Sequence, residues 1–315
     1  MDLQQVTVFG GSGFVGRQVV GRLVDAGARV VVASRTAATA PALAPLIETG
    51  RAVAAPCDVS DADGIAGAIE GSDAVVNLVG ILYETPKQKF AKLHATAPGL
   101  IASAATAAGV ERMVHVSAIG AEHAATSHYA RSKAAGEAAL RAAMAEAVIL
   151  RPSVIFGPED DFFNRFADLA RWSPVLPLFG GGTNRFQPVY VGDMAAAVYA
   201  GLTRDDAIGR LFQLGGPRSY AFRELMAMLL AATGQRRLLL PLPMVLADAI
   251  GVAGDLMAAL GLKPQLTRDQ ARLLRTDNVV PDGADGLAAL GITATAIEDI
   301  LPSYLGPGGA SGGGA

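Results

Sequence analysis

Val6-Thr7-Val8-Phe9-Gly10-Gly11-Ser12-Gly13-Phe14-Val15-Gly16 is the stretch on which the reading of this chain turns. Residues 6–9 are an apolar run of strand length. Glycines at 10, 13 and 16 follow it, three apart, and helical spacing takes over across residues 16–26. Each glycine has a task in such a turn: a tight bend, close backbone approach to a pyrophosphate, and close packing of helix on strand. The helix that follows would present free N–H groups and the positive end of its dipole to phosphates. A glycine-rich turn alone is a weak signal. With a strand before it, a helix after it and a second strand at the right distance, it predicts a dinucleotide site lined by Gly10, Gly11, Ser12, Gly13, Phe14, Val15 and Gly16.

Working outward, further apolar strands are expected at Arg29–Ala33, Ala52–Ala55, 74–78, 113–116 and 147–150, with alanine-rich helical segments such as 16–26 and 90–108 between them. Near-continuous apolar strands alternating with helices imply an α/β fold, a doubly wound parallel sheet covered on both faces. The pattern changes after Arg151. Loops rich in Pro and Gly appear, at 156–158 and 174–182, and a strand-like run at 185–191 and a helix from Asp193 are expected to return to the sheet. From Pro217 the chain reads as mainly helical. The expected organisation is a dinucleotide-binding domain over 1–216, with 156–185 contributing to a second lobe, a smaller and mostly helical C-terminal lobe over 217–305, and a flexible Gly/Ala/Ser/Pro tail over 306–315.

The chain has 315 residues, 51% of them hydrophobic and 17% charged, which suits a sizeable buried core and not a disordered segment. A net charge of -3 offers nothing to nucleic acid. Cys57 is the single cysteine, so an intrachain disulfide and a cysteine metal cluster are both ruled out. The four histidines, His94, His115, His123 and His128, have no metal-ligand spacing, and no metal is expected. Neither a secretory signal nor an Arg-rich transit peptide is visible before the first strand, which predicts a cytoplasmic protein.

The second strand ends Val32-Ala33-Ser34-Arg35. An NAD site places Asp or Glu there to take the adenosine ribose hydroxyls. A hydroxyl and a guanidinium suit a 2′-phosphate instead, so NADP(H) is the expected cofactor, with NAD(H) the alternative. Asp58, with Val59 beside it, follows the third strand and could accept from the adenine amino group. Asn77, Leu78, Val79 and Gly80 follow the fourth and would lie along the cofactor.

Tyr129-Ala130-Arg131-Ser132-Lys133 puts Tyr and Lys four apart, on one helix face. Tyrosine has a reference pKa of about 10. An adjacent ammonium favours the phenolate and would bring it down. The same lysine could hold the nicotinamide ribose, and the pair comes after a strand that ends in Ser117.

These motifs together resemble the short-chain dehydrogenase/reductase superfamily with its NAD(P)-binding Rossmann fold, in the extended or atypical branch. The resemblance extends through Arg151-Pro152-Ser153-Val154-Ile155-Phe156-Gly157-Pro158 and Pro188-Val189-Tyr190-Val191-Gly192-Asp193. It adds Pro152 and Val154 to the cofactor-binding set. More closely, the chain is similar to the nucleotide-binding accessory subunits of respiratory complex I and their bacterial relatives. That likeness is carried by His115-Val116-Ser117-Ala118-Ile119-Gly120, Gly157-Pro158-Glu159-Asp160-Asp161-Phe162-Phe163-Asn164-Arg165-Phe166, Arg185-Phe186-Gln187-Pro188-Val189-Tyr190-Val191 and Leu301-Pro302-Ser303-Tyr304-Leu305. It implies a cofactor held structurally, a link to ubiquinone metabolism, partners among membrane-complex subunits, and a peripheral place on the cytoplasmic face of the inner membrane. The superfamily resemblance implies the other class of function: a reductase or sugar-nucleotide epimerase/dehydratase acting on a small molecule, with Tyr129 as general acid–base, Lys133 lowering its pKa and Ser117 on the carbonyl. Two departures weigh against that chemistry. Ala118 stands where a further hydroxyl is common, and His94 where such enzymes have a supporting Asn.

Remaining features have plain structural readings beside functional ones. His115, in an apolar strand, is expected to be a hydrogen-bonded core residue. His123 and His128 fit a surface loop better than a substrate entrance. Glu159-Asp160-Asp161 fits a helix N-terminus better than a metal site. Trp172 and Phe162, Phe163 and Phe166 are expected to pack the second lobe. Residues 238–262 form a long apolar run, but Asp248, Asp255, Pro241 and Pro243 argue against a transmembrane helix. Core packing and docking on a membrane or subunit account for it equally. Its own charges, acidic only, disfavour adhesion to anionic lipid.

Overall fold

The computed structural model describes residues 3–306. Seven strands make one sheet: β1 (Gln5–Phe9), β2 (Arg29–Ala33), β3 (Ala52–Ala55), β4 (Ala74–Asn77), β5 (Arg112–Val116), β6 (Val148–Pro152) and, later in the chain, Leu211–Leu214. Its order is Leu211–Leu214, β6, β5, β4, β1, β2, β3, and every pairing is parallel. The chain therefore winds outward from β1 in one direction and from β4 in the other. A crevice opens where the order reverses, beyond the carboxyl ends of β1 and β4.

Parallel strands need long crossovers, and helices supply them on both faces. On one face Val6, Val8, Val30, Val32 and Val76 pack against α1 (Phe14–Asp25), whose Val19, Val20 and Leu23 point inward. On the other, Phe9, Val75, Met113 and Ile149 pack against α3 (Ala62–Ile69), α4 (Ala97–Ala107) and α5 (His128–Ala143), through Ile65, Ile101 and Leu140. A short α2 (Ala44–Glu48) precedes β3. Successive side chains of a strand serve opposite faces, so uninterrupted apolar strands are what two covered faces require.

The return of the chain after Arg151 differs from expectation. Residues 185–191 do not join the sheet. They split into β9 (Arg185–Phe186) and β10 (Val189–Tyr190), because Gln187-Pro188 interrupts the ladder. β10 pairs with β7 (Ile155–Phe156), and β9 with β12 (Tyr220–Ala221). The seventh sheet strand is instead β11 (Leu211–Leu214), whose apolar run is broken by Gln213. The next helix, α7 (Val191–Thr203), does return to the sheet and buries Met194, Ala197 and Val198 in the same core as Val6.

A third cluster joins α6 (Phe163–Trp172), β8 (Val175–Phe179), α8 (Phe222–Ala232) and α11 (Ile297–Leu305) around Phe163, Leu176, Leu225 and Leu301. Phe162, Phe166, Phe186 and Phe222 meet there edge-on or tilted, with ring centroids 5.4–6.2 Å apart. Asp160 accepts from the first-turn N–H groups of Phe163 (2.5 Å) and Asn164 (3.3 Å), as a helix-start carboxylate should. Trp172 corrects the packing expectation. It stands at the end of α6, 91% exposed. β13 (Leu238–Leu242) pairs with β8 and leads into α9 (Met244–Ala259), which lies on α10 (Arg268–Leu273). Among the described residues no helix is long and apolar enough to cross a membrane.

Candidate functional site

The glycine turn lies at the mouth of the crevice, and its glycines do different things. Gly10 has φ 79°, a left-handed conformation that disfavours a side chain, and a Cβ there would stand 3.2 Å from the main chain of Leu78. Its N–H donates to Ala33 O (2.9 Å), locking the turn to β2. A Cβ on Gly16 would fall 2.3 Å from Gly10 O, so Gly16 lets α1 close onto the turn. A Cβ on Gly11 would reach 3.0 Å from the Val32 side chain. Gly13 is different. Its φ is -76°, and a Cβ would meet only Gly10 O, at 3.4 Å. Gly13 is thus not needed by the fold but keeps the space in front of the turn open. No side chain caps α1, which leaves its first N–H groups for an incoming anion.

At the end of β2, Ser12 Oγ and Ser34 Oγ share a hydrogen bond (2.8 Å), with Thr36 Oγ1 3.3 Å from Ser12. Arg35 is exposed beside them. The Asp58 carboxyl is held low chiefly by the hydroxyl and N–H of Ser60, with Lys92 and Arg35 adding to the effect. Ser60 occupies Oδ1 of that carboxylate. Val59, its neighbour, is buried. Across the crevice Asn77 Oδ1 accepts from Val79 N–H (3.0 Å), while Asn77 Nδ2 is buried without a partner. Arg17, in the first turn of α1, pairs with Glu159, the one non-glycine residue with positive φ (71°) among those described. This pair ties the 157–161 loop to the glycine turn.

The acid–base residues meet one strand further along. Lys133, buried, donates from Nζ to Val116 O (3.1 Å), and a Cβ on Gly80 would stand 3.5 Å from that Nζ. Val116 precedes Ser117, whose Oγ is buried and unpartnered. Gly80, Ser117 and Lys133 are therefore brought to one place, with Tyr129 a turn earlier on α5. Tyr129 is half-buried, its ring set edge-on to those of Phe90 (5.8 Å between centroids) and His94 (5.3 Å). The tyrosine does not show the lowering expected of it. Burial pushes its hydroxyl up to about 12, and burial likewise brings Lys133 down to about 8, with a smaller opposing pull from Glu137. The lysine ammonium donates to Val116 O, and desolvation is what sets the phenol.

His94 is fully engaged. It lies in a π-helical turn, Ala91–Thr96, at the head of α4. Nε2 accepts from Ile81 N–H (2.9 Å), and Nδ1 meets Ser132 Oγ (3.0 Å), which itself donates to Tyr129 O (2.7 Å). Those partners require a neutral ring protonated on Nδ1. Burial, with Lys133 nearby, holds its pKa down to about 2. His94 thus braces the loop after β4 against the first turn of α5. Gly136 makes the packing possible, since a Cβ there would collide with His94 O at 1.9 Å. His115 corrects another expectation. It is buried in β5, but neither ring nitrogen has a well-formed hydrogen bond. Burial and then Lys133 hold its pKa down to about 3, against a smaller pull from the Asn77 main chain. His123 is exposed in a loop, as expected, while His128 is exposed but belongs to the first turn of α5 and not to the loop before it.

Pro152 O accepts from Ile119 N–H (3.0 Å), which places it behind the loop that follows Ser117. Val154 N–H donates to Asn278 Oδ1 (3.1 Å), and its side chain packs against the third cluster. Asp269 was not legible in the sequence as a site residue. From α10 it accepts from Ser127 Oγ (2.7 Å), His128 N–H (2.8 Å) and Tyr129 N–H (2.9 Å), at the very start of α5. Its only local signal is the Thr267/Gln270 capping box around it, which marks a helix start and not what the carboxylate would reach.

The model of the NAD dependent epimerase/dehydratase family matches residues 6–215. This chain belongs to that family. It is 35% identical over 294 residues to "NADH dehydrogenase (ubiquinone) 1 alpha subcomplex subunit 9, mitochondrial" of Mus musculus, covering 93% of this chain and 77% of that one. It is 31% identical over 243 residues to "Ceramide reductase" of Caulobacter vibrioides, covering 76% and 73%. Among solved structures it resembles MoeE5 in complex with UDP-glucose and NAD, with a TM-score of 0.71, 19% identity, and 96% and 97% of the two chains covered. At that identity the likeness speaks for the fold. The accessory-subunit resemblance read from the sequence motifs is borne out by the first of these relatives.

Proposed function

We propose that this chain is an NADP(H)-binding protein of the complex I accessory-subunit type, in which the dinucleotide serves chiefly to hold the fold and an interface. The carrying observation is the end of β2, where Ser12, Ser34 and Thr36 hydroxyls and the exposed Arg35 stand in place of a carboxylate. In this reading the pyrophosphate lies on residues 10–16, and the 2′-phosphate on Ser34 and Arg35. Asp58 and Val59 flank the adenine. Residues 77–80 run along the middle, and Lys133 holds the nicotinamide ribose, with Pro152 and Val154 beyond it. The buried, unpartnered Asn77 Nδ2 and Ser117 Oγ are groups that a bound dinucleotide or substrate would satisfy. The relation to the mouse subunit supports a partner in a membrane complex linked to ubiquinone, and a peripheral place on the cytoplasmic face of the inner membrane. Calorimetry should find NADPH bound at least roughly tenfold more tightly than NADH, and Arg35→Asp should erase that preference. Equal affinity of the wild type for both would overturn the assignment.

A second reading, an active reductase, is favoured by Lys133 bonding to the carbonyl that precedes Ser117, with Tyr129 one turn earlier on α5, and by the relation to the Caulobacter reductase. The reduced nicotinamide would supply a hydride to a carbonyl carbon. Ser117 would hold the carbonyl oxygen, Tyr129 would donate a proton to it, and Lys133 would keep the ribose in place. A steady-state rate with NADPH on long-chain or cyclic ketones that falls at least roughly a hundredfold in Tyr129→Phe, with NADPH affinity unchanged, would establish this reading. Absent turnover keeps the first.

A further inference from the structure

Helix α9 is packed the wrong way round for a helix of a soluble core. Its small residues face inward: Ala247, Gly251, Gly254 and Ala258 are buried. The cause is close contact with the 264–268 segment. A Cβ on Gly254 would lie 1.8 Å from Leu266 O, and one on Gly251 2.8 Å from Arg268 N. The large side chains are left outside. Val245, Leu246, Ile250, Val252, Leu256 and Leu260 are all exposed, Leu256 by 65% and Leu260 by 70%. At 100° per residue they span an arc of about 160° with no polar residue in it. The apolar surface continues along the chain in both directions, through Leu238 and Leu240 before the helix and Leu262 after it. Leu238 N–H bonds to Pro174 O, two residues from Trp172.

The charges around this surface are not those the apolar run alone suggests. Asp248 and Asp255, at one border of the arc, are each neutralised from α10 or its ends, Asp248 by Arg275 (2.7 Å) and Asp255 by Arg268. Arg236 and Arg237 precede the apolar segment, and Lys263, which pairs with Asp161 (2.9 Å), follows it. Residues 236–275 hold six basic and three acidic side chains, a net of +3 in a chain of net -3. An aliphatic arc on one helix, an exposed tryptophan and arginines at the entry to the apolar segment are the features of a segment that lies in a bilayer interface.

We propose that α9, with Leu238, Leu240, Leu262 and Trp172, inserts into the surface of an anionic phospholipid bilayer. This deepens the peripheral-membrane part of the reading above by naming lipid as the contact. The segment that follows α9 also touches elements of the site. Asp269 of the same hairpin caps α5 at Tyr129, and Arg165 donates to Pro264 O (3.1 Å) and Gln265 Oε1 (3.2 Å) just after the helix.

Trp172 is the single tryptophan, so native fluorescence reports the contact directly. The full chain is mixed with vesicles of phosphatidylcholine alone or with phosphatidylglycerol, and both emission and co-sedimentation are followed. The expected result is a blue shift and co-sedimentation with the mixed vesicles, weaker on neutral vesicles and in high salt. Val252→Asp with Leu256→Asp, at exposed positions, should weaken partition at least roughly tenfold while melting temperature and dinucleotide affinity stay as in the wild type. Arg236→Glu with Lys263→Glu should remove the preference for anionic lipid. No shift and no co-sedimentation would overturn the proposal, as would wild-type partition of the double aspartate variant. Dimers that persist beside vesicles and vanish in that variant would assign the face to a second copy and overturn it too. The vesicles contain no protein and calorimetry needs no vesicle, so failure here is distinct from failure of the dinucleotide assignment.

Discussion

Gly13→Val is expected to abolish dinucleotide binding and leave the protein folded. Gly13 has an ordinary φ of -76°, and its Cβ position meets nothing closer than 3.4 Å, so a side chain costs the apo fold little. That side chain would fill the space where a pyrophosphate must approach the N–H groups of α1. Affinity for NADPH and NADH alike should fall at least roughly a hundredfold, with thermal melting of the apo protein nearly unchanged. Gly16→Val should do the reverse first, since its Cβ would overlap Gly10 O at 2.3 Å and unseat the turn itself. Paired calorimetry and melting of the two variants separate a glycine kept for a ligand from one kept for packing. A Gly13→Val protein that still binds NADPH like the wild type would remove the dinucleotide from this turn.

Asp269→Ala is expected to destabilise the protein by about 3 kcal/mol, because three donors at the start of α5 lose a charged acceptor. The dependence on pH follows from its titration. Burial alone would raise the carboxyl, but the bonds from Tyr129, Ser127 and His128 outweigh it and hold the folded-state value below the ordinary 3.8. A depressed carboxyl stabilises the fold above its unfolded-state pKa, and that contribution is lost as pH falls through the folded value. Urea melts should therefore show a gap between wild type and Asp269→Ala that is full at neutral pH and narrows below about pH 4. An unchanged gap at pH 3 would mean that the carboxylate charge does not carry the effect.

The strands around the nucleotide turn were legible because a parallel sheet covered on both faces asks for nothing subtler than continuous apolar runs. Arg29–Ala33 and Ala52–Ala55 carry their own boundaries in residue type. The run at 185–191 had the same look and misled, since Gln187-Pro188 divides it between two small ladders. Tyr129 and Lys133 were legible as a pair by spacing, but their titration was not. Proximity on a helix face predicts a lowered phenol, and burial reverses it. Residue type leaves the placement of Trp172 and of the apolar arc of α9 undecided for a related reason. Hydrophobicity says that a residue prefers to leave water, not whether its neighbours leave room for it.

By itself the sequence determined the doubly wound sheet, the glycine turn, the absence of an acid at the end of β2 and the tyrosine–lysine pair. All of these are local: a few consecutive residues set the strand, the bend or the helix face. Only the tertiary structure decided that His94 braces two segments as a neutral ring. It also placed Asp269, 140 residues away, at the first turn of the tyrosine helix, and turned α9 small side inward. Those outcomes depend on close approach between parts of the chain far apart in sequence. A Gly254 against Leu266 O, or a carboxylate against three N–H and O–H donors, has no signature in residue type until the chain has folded around it.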